Sequence, residues 1–207
     1  MRLRAGILLL SAALGCGDAV ATPIRAAQSR ADAAAEDGRG SGIGAGADVP
    51  DLAHCADAAD WPVELAAAEL QLFAAINAAR AEGIRCGDDE EREREPLVLV
   101  PELRCSARLH SLDMYENDYV GRENGDGDDF RDRIRATGLD ARAMDESIER
   151  SDDEPAQLLE HLLEDWDDCG NLINPELDGV GIGHYADLWT LDFADTRANA
   201  DTERDER

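Results

Sequence analysis

The chain has 207 residues, with 47 Asp or Glu against 20 Lys or Arg and a formal charge of -27. Such a surface repels nucleic acid and anionic membranes, so neither is expected as a direct partner. The length fits one domain with appendages. Acids are spread over every segment, which points to a generally solvated acidic surface rather than one acidic docking site.

Arg2 and Arg4 precede an apolar run that ends in small residues before Cys16, the pattern of an export signal over residues 1–15. The run is too short to span a bilayer as a stable helix. Ala13-Leu14-Gly15-Cys16 resembles a bacterial lipobox, with Ala13 where Leu is commoner. That resemblance implies cleavage before Cys16 and diacylglycerol on its sulfur. The alternative is an ordinary secretory signal cleaved near Ala21 or Ala27. Residues 16–52 are rich in Ala, Gly, Asp and Arg and cannot build a core. They read as a flexible tether, which as a coil holds the domain about 30 Å from its anchor. Cys16 apart, the cysteines are Cys55, Cys86, Cys105 and Cys169. An even number in an exported chain points to two disulfides, with three possible connectivities. There is no C-x-x-C pair, so zinc-ribbon and thioredoxin readings have no support.

The folded domain is expected over residues 53–195. Trp61-Pro62 opens a helix with a stripe of Leu65, Glu69, Leu72, Phe73, Ile76 and Ala79, ended by Gly83. Asp88 to Glu95 reads as a charged, solvated loop. Leu97 to Val100 is a short strand or extended lead-in. Pro101 then starts a central helix reaching Tyr119. Leu103, Ala107, His110 and Met114 share one face of it, and Arg104, Arg108 and Asp113 lie opposite. Asn124, Asp126 and Asp128 alternate like calcium-loop ligands, but Asp129 and Arg135 stand where an EF-hand needs Gly and Glu. Asp128 or Asp129 caps a short helix through Ala136, ended by Gly138. The segment holding Glu146 has no clear assignment. Asp153 and Pro155 start a helix with Leu158, Leu159, Leu162, Leu163 and Trp166 on its buried side, broken at Cys169-Gly170. Gly179 to Gly183 and Leu188 to Phe193 form a terminal antiparallel hairpin, with His184 in its turn. Residues 196–207 read as a disordered acidic tail. This order predicts α+β, as a three-layer α-β-α sandwich with helices around a small antiparallel sheet.

Nucleophilic catalysis finds little support. Ser111 follows His110 directly, and adjacent helical residues do not face each other. There is no Gly-x-Ser-x-Gly elbow and no phosphate-binding glycine loop. His161 falls on the polar side of its helix, and His54 adjoins Cys55 at the domain edge.

Several motifs together carry a resemblance. They are Ile76-Asn77 with Arg80, His110-Ser111 with Asp113-Met114, Asp132-Arg133-Ile134 before Gly138, and Glu146 ahead of Ile148. Trp166, Asn171-Leu172-Ile173-Asn174-Pro175, Gly179-Val180-Gly181, and Trp189 before Phe193 follow in order. Over residues 55–195 this resembles the CAP superfamily of cysteine-rich secretory and pathogenesis-related proteins, in its bacterial SCP-like form. The resemblance implies a sandwich with a cleft on one side, holding two histidines and acidic residues able to bind a divalent metal. Glu146 keeps its place in that pattern. Arg122 stands where the first histidine belongs. About four residues, with the second histidine, are missing between Trp166 and Asn171.

A metal of the zinc type needs at least three well-placed protein ligands, and a fixed arginine charge opposes it. The cleft is therefore expected to be degenerate, with Arg122 and Glu146 as a charge-assisted pair, no metal, no cofactor and no catalytic residues. In the resemblance His110 is a scaffold residue rather than a cleft ligand, leaving Arg122, Glu146 and His110 as the cleft remnant. The resemblance also suggests Cys86 with Cys169, with Cys55 and Cys105 then the second bridge. The alternative is that Cys55 or Cys105 stays free and buried. The expected protein is a monomeric, non-enzymatic surface binding module for a lipid, glycan, peptide or protein. It touches membrane only through a lipid anchor, in the outer membrane or periplasm, or is secreted if Cys16 is not lipidated. The alternatives are a CAP-type hydrolase or peptidase, and a structural cell-surface protein.

Overall fold

The computed structural model describes residues 48–89 and 91–196. The export signal, Cys16, the tether before Asp48 and the tail beyond Thr196 lie outside the described residues. Among those described, no helix is long and apolar enough to cross a membrane.

A 3-10 turn at Ala53–Cys55 leads into the short helix α1 (Ala56–Ala59), and then α2 (Val63–Glu82). Pro62 precedes α2, where its missing N–H costs nothing, and Gly83 at φ 102 ends it. Strand β1 (Val98–Leu99) runs into the central helix α3 (Pro101–Glu116), with Pro101 at its first position. Helix α4 (Phe130–Ala136) is capped by Asp129, whose carboxylate accepts from the Arg131 and Asp132 amides. Strand β2 (Met144–Arg150), helices α5 (Pro155–Glu164) and α6 (Trp166–Ile173), and strands β3 (Gly179–Tyr185) and β4 (Leu188–Ala194) complete the order.

The four strands form one sheet in the order β1-β3-β4-β2. Strands β3 and β4 make the expected hairpin, and β2 runs antiparallel to β4. The sheet is mixed rather than purely antiparallel, because β1 pairs with β3 in parallel. The chain between them crosses the sheet through α3 to α6, which delivers both strands in one direction. One face carries Val180, Ile182, Trp189, Leu191 and Phe193, packed against apolar residues of α2, α5 and α6. The other face lies under α3. A Cβ on Gly181 would come 2.0 Å from the Leu103 carbonyl carbon, and one on Gly183 2.3 Å from that of Ala107. The two glycines thus let the backbone of α3 rest directly on the strand. The architecture is an α+β three-layer sandwich.

Other differences have local causes. Asp165 adopts an extended conformation between α5 and α6 and caps α6. Trp166 is therefore the first residue of a new helix and is 62% exposed, not buried on the previous one. Helix α6 runs through Cys169-Gly170 instead of breaking there. His184 pairs with Trp189 inside the hairpin, its ring stacked 3.7 Å from the indole, and the turn falls at Ala186-Asp187. Arg104 and Arg108 are buried, since the segment from Asp48 to Asp60 covers that side of α3. Residues 48–52, read from the sequence as the end of the tether, begin this cover: Val49 is buried, and Asp48 pairs with both arginines. At the other end Thr196 is tied to the Asp178 carboxylate through its amide and hydroxyl.

Both disulfides implied by the resemblance are present, Cys55–Cys105 and Cys86–Cys169. The first joins the N-terminal cover to α3. The second joins the loop after α2 to α6.

Candidate functional site

Glu146 is hydrogen-bonded to residues that line two cavities, Arg133 of one and Arg122 and Asn171 of the other. It sits in β2, the edge strand, directly opposite Asp192 in β4. The alternation of β2 puts Met144, Glu146 and Ile148 on the face beneath α3. Both Glu146 and Asp192 are fully buried there. Burial raises both carboxyl pKa values, and for Glu146 the Asp192 charge raises it further. Two such groups titrate as a pair, and the pair holds a proton through neutral pH.

Arg133, on α4, is the cation of this cluster. It donates to Glu146 Oε1, and through Nη1 to the carbonyls of Arg122 at 2.8 Å and Asp128 at 3.1 Å. The Ser106 hydroxyl faces Asp192 and partly offsets its rise, without closing a hydrogen bond of ordinary geometry. His110 is buried, with Nε2 2.8 Å from the Gly121 carbonyl. That contact makes Nε2 the protonated nitrogen and leaves Nδ1 bare. Burial, then the nearby Arg133 charge, lowers the His110 pKa to about 4, so the ring is neutral. Ser106, His110 and Arg133 line a cavity of about 300 Å³ whose outer wall carries Asp113, Asp128 and Asp132.

The expected pair of Arg122 with the Glu146 carboxylate is corrected. Arg122 donates to the Glu146 carbonyl at 2.6 Å and lies 3.5 Å from the Asp145 carboxylate. The reason is register. Pairing with Asp192 turns the Glu146 side chain under α3, where Arg133 reaches it, and leaves the carbonyl at the free sheet edge. Arg122 and Asn171 Nδ2, the latter at 3.4 Å, cover that edge.

Outside the edge lies the second cavity, about 640 Å³, between Arg122 and Asp145 on one side and Trp166, Asn171 and Asn174 on the other. Gly170 of α6 also lines it, with nothing within 4 Å of where its Cβ would be. The three remnant residues are therefore divided. His110 lines the inner cavity, Arg122 the outer one, and Glu146 is hydrogen-bonded to residues of both. His54 reaches the mouth of the inner cavity, His184 packs on Trp189, and His161 stays half exposed beside Asp153.

The residues present do not fit a divalent metal. A guanidinium stands at the position of the first expected ligand, and a second guanidinium already holds the Glu146 carboxylate. The unpartnered Glu146 Oε2 and His110 Nδ1 share their enclosure with that charge. Among the described residues no three His, Cys, Asp or Glu side chains converge as metal ligands.

Sequence reasoning missed Arg133 and Asp192. Asp192 had left a signal, a lone acid inside the apolar run Leu188 to Phe193. Arg133 was visible only as part of a family motif. A second buried cluster was also missed: Glu69 of α2 accepts from Arg104 Nη2 at 2.7 Å, Arg108 Nη2 at 2.8 Å and the His184 amide at 3.2 Å.

No protein-family model matches the chain, and no curated protein matches it in sequence. Solved structures do. An extracellular protein containing an SCP domain from Bacillus anthracis superposes with a TM-score of 0.55 at 21% identity, over 62% of this chain and 40% of that one. An outer surface protein from Borrelia burgdorferi gives 0.52 at 16% identity, over 62% of this chain and 92% of that one. The chain spans well under half the length of the Bacillus protein. The fold is that of an SCP domain of the CAP type.

Proposed function

We propose that the chain is an exported, lipid-anchored SCP-type domain that acts as a non-enzymatic surface binding module, with the outer cleft as its binding site. One observation carries this reading. The cleft is open and polar, yet among the described residues its lining of Arg122, Asp145, Trp166, Asp167, Gly170, Asn171 and Asn174 holds no histidine, hydroxyl or thiol. Its one cation is engaged with Asp145 and a backbone carbonyl. It can hold a ligand, but it lacks a nucleophile with an adjacent base, and its donor set opposes a metal. The ligand comes from lipids, glycans, peptides or proteins outside the cell.

Export is supported by the signal-like first fifteen residues and by two disulfides, which persist in oxidising compartments. The anchor is diacylglycerol on Cys16, in the outer membrane or periplasmic face of the envelope; without it the domain is secreted. The domain works as a monomer. Palmitate labelling that disappears in Cys16→Ala supports the anchor, and unchanged labelling refutes it.

The functional test presents the full chain to lipid, glycan and peptide panels and recovers what is retained. Retention that is lost in Trp166→Ala, with the ligand recovered intact, supports the reading. Recovery of cleaved ligand contradicts it.

A further inference from the structure

We infer that the outer cleft binds a neutral saccharide, with the Trp166 indole as the stacking platform for one sugar ring. This rests on reading that cleft as a binding site.

The first support is the way Trp166 is held. Trp166 presents most of its ring to water at the start of α6, beside the cleft. The helix start that carries it is capped, and one side of the ring packs against Gly87. Asp165 caps the helix that begins at Trp166, accepting from the Asp167 amide at 2.9 Å and the Asp168 amide at 3.1 Å. Gly87, at φ 58, lies against the indole, and a Cβ there would come 3.3 Å from the ring. The Cys86–Cys169 disulfide joins the residue before Gly87 to the helix that carries Trp166. Glycine and disulfide together set the ring in place while leaving it 62% exposed. A platform held this way loses little conformational freedom on binding.

The second support is the chemistry around the ring. Sugars present a flat face of C–H groups and a rim of paired hydroxyls that both donate and accept. An aromatic face suits the former. Planar side chains with paired donors and acceptors suit the latter, and the cleft supplies Asn171, Asn174, Asp145 and Arg122. The Asn174 amide nitrogen has no partner among the described residues, while its carbonyl oxygen is taken by the Glu176 amide at 2.9 Å. Gly170 leaves the floor open for close approach. About 640 Å³ is within the range of roughly 300–1,000 Å³ typical of small-ligand sites.

Other ligand classes fit less well. A lipid chain needs apolar walls, and among the described residues Trp166 is the one apolar side chain of the lining. A proline-rich peptide needs an aromatic-lined groove, and there is a single ring. The charge of -27 repels acidic polysaccharides, which leaves neutral ones.

The experiment applies the full chain to arrays of defined neutral oligosaccharides, acidic oligosaccharides and proline-rich peptides. Three variants are compared with the wild type: Trp166→Ala, Trp166→Phe and Gly170→Leu. Disulfide content and circular dichroism check that each variant is folded. Retention on neutral oligosaccharides, weakened about tenfold or more by Trp166→Ala and by Gly170→Leu but kept by Trp166→Phe, is expected. Gly170→Leu blocks the floor from a helical site with open space, so it tests the cleft without removing the platform. Retention of peptides or acidic sugars alone, lost in Gly170→Leu, overturns the saccharide inference and leaves the cleft a binding site. Neutral-sugar retention unchanged in both Trp166→Ala and Gly170→Leu overturns the placement. Retention of nothing overturns the saccharide and the binding reading together.

Discussion

Glu146 and Asp192 stand opposite each other on neighbouring strands, both sealed from solvent beneath the central helix, with Arg133 the cation paired to Glu146. This places two acids and one guanidinium where most folds place apolar side chains, and stability becomes dependent on pH.

In the unfolded chain both carboxyls ionise in the ordinary range, near pH ~4. In the fold, burial holds their protons to higher pH. Their contribution is complete at acidic pH and is lost as pH rises through the folded values. His110 works in the opposite sense. Its folded value of about 4 lies below the ordinary imidazole value of 6.5, so its contribution is present above that value and lost as pH falls toward the folded one. Thermal unfolding is expected to show greatest stability in mildly acidic solution and a decline toward about pH 9. Asp192→Asn removes one raised carboxyl and should flatten the alkaline decline, by about 1–2 kcal/mol at its upper end. A decline as steep as in the wild type would refute this account of the pair.

The Glu69 cluster predicts a contrast between two acids. Glu69 is buried against Arg104 and Arg108, whereas the Asp48 side chain that also meets them is half exposed. Glu69→Gln leaves two buried guanidiniums short of charge and should cost about 3–5 kcal/mol in denaturant unfolding. Asp48→Asn should cost about 1 kcal/mol or less, because water screens that side. Equal costs would show that the N-terminal cover, rather than Glu69, neutralises the arginines.

Much of the fold was legible in the sequence. The stripes of α2 and α5, the Asp129 cap and the terminal hairpin follow from periodicity and turn chemistry. The register of β2 was hidden, because its buried face carries Glu146, opposite Asp192 of β4, where an apolar residue would mark a buried strand. The candidate site was half legible. A resemblance located Glu146 and Arg122, but spacing cannot tell that the Glu146 side chain turns inward to Arg133 while its carbonyl turns outward to Arg122. Trp166 was misplaced because an apolar period ran on through Asp165, where the backbone breaks and a second helix starts.

The glycines of β3 give a direct test of the α3 contact. Gly181→Ala and Gly183→Ala each put a Cβ inside the backbone of α3, and each should cost about 3 kcal/mol or more, or prevent folding. Gly170→Ala, with open space around it in a helix, should be neutral or stabilising by up to about 1 kcal/mol. The same cost at all three positions would contradict the close approach.

Each disulfide should stabilise by about 2–4 kcal/mol. Cys105→Ala should release one thiol, from Cys55, under denaturing conditions and leave Cys86–Cys169 intact. No new thiol in that variant would contradict the pairing.

The cleft beside Arg122 and Trp166 is proposed to bind its ligand without a metal. Titration of zinc into the full chain at neutral pH, followed by calorimetry and by metal analysis after desalting, tests it most directly. The account predicts no stoichiometric uptake in the wild type. One zinc per chain, lost in Glu146→Gln, would contradict it.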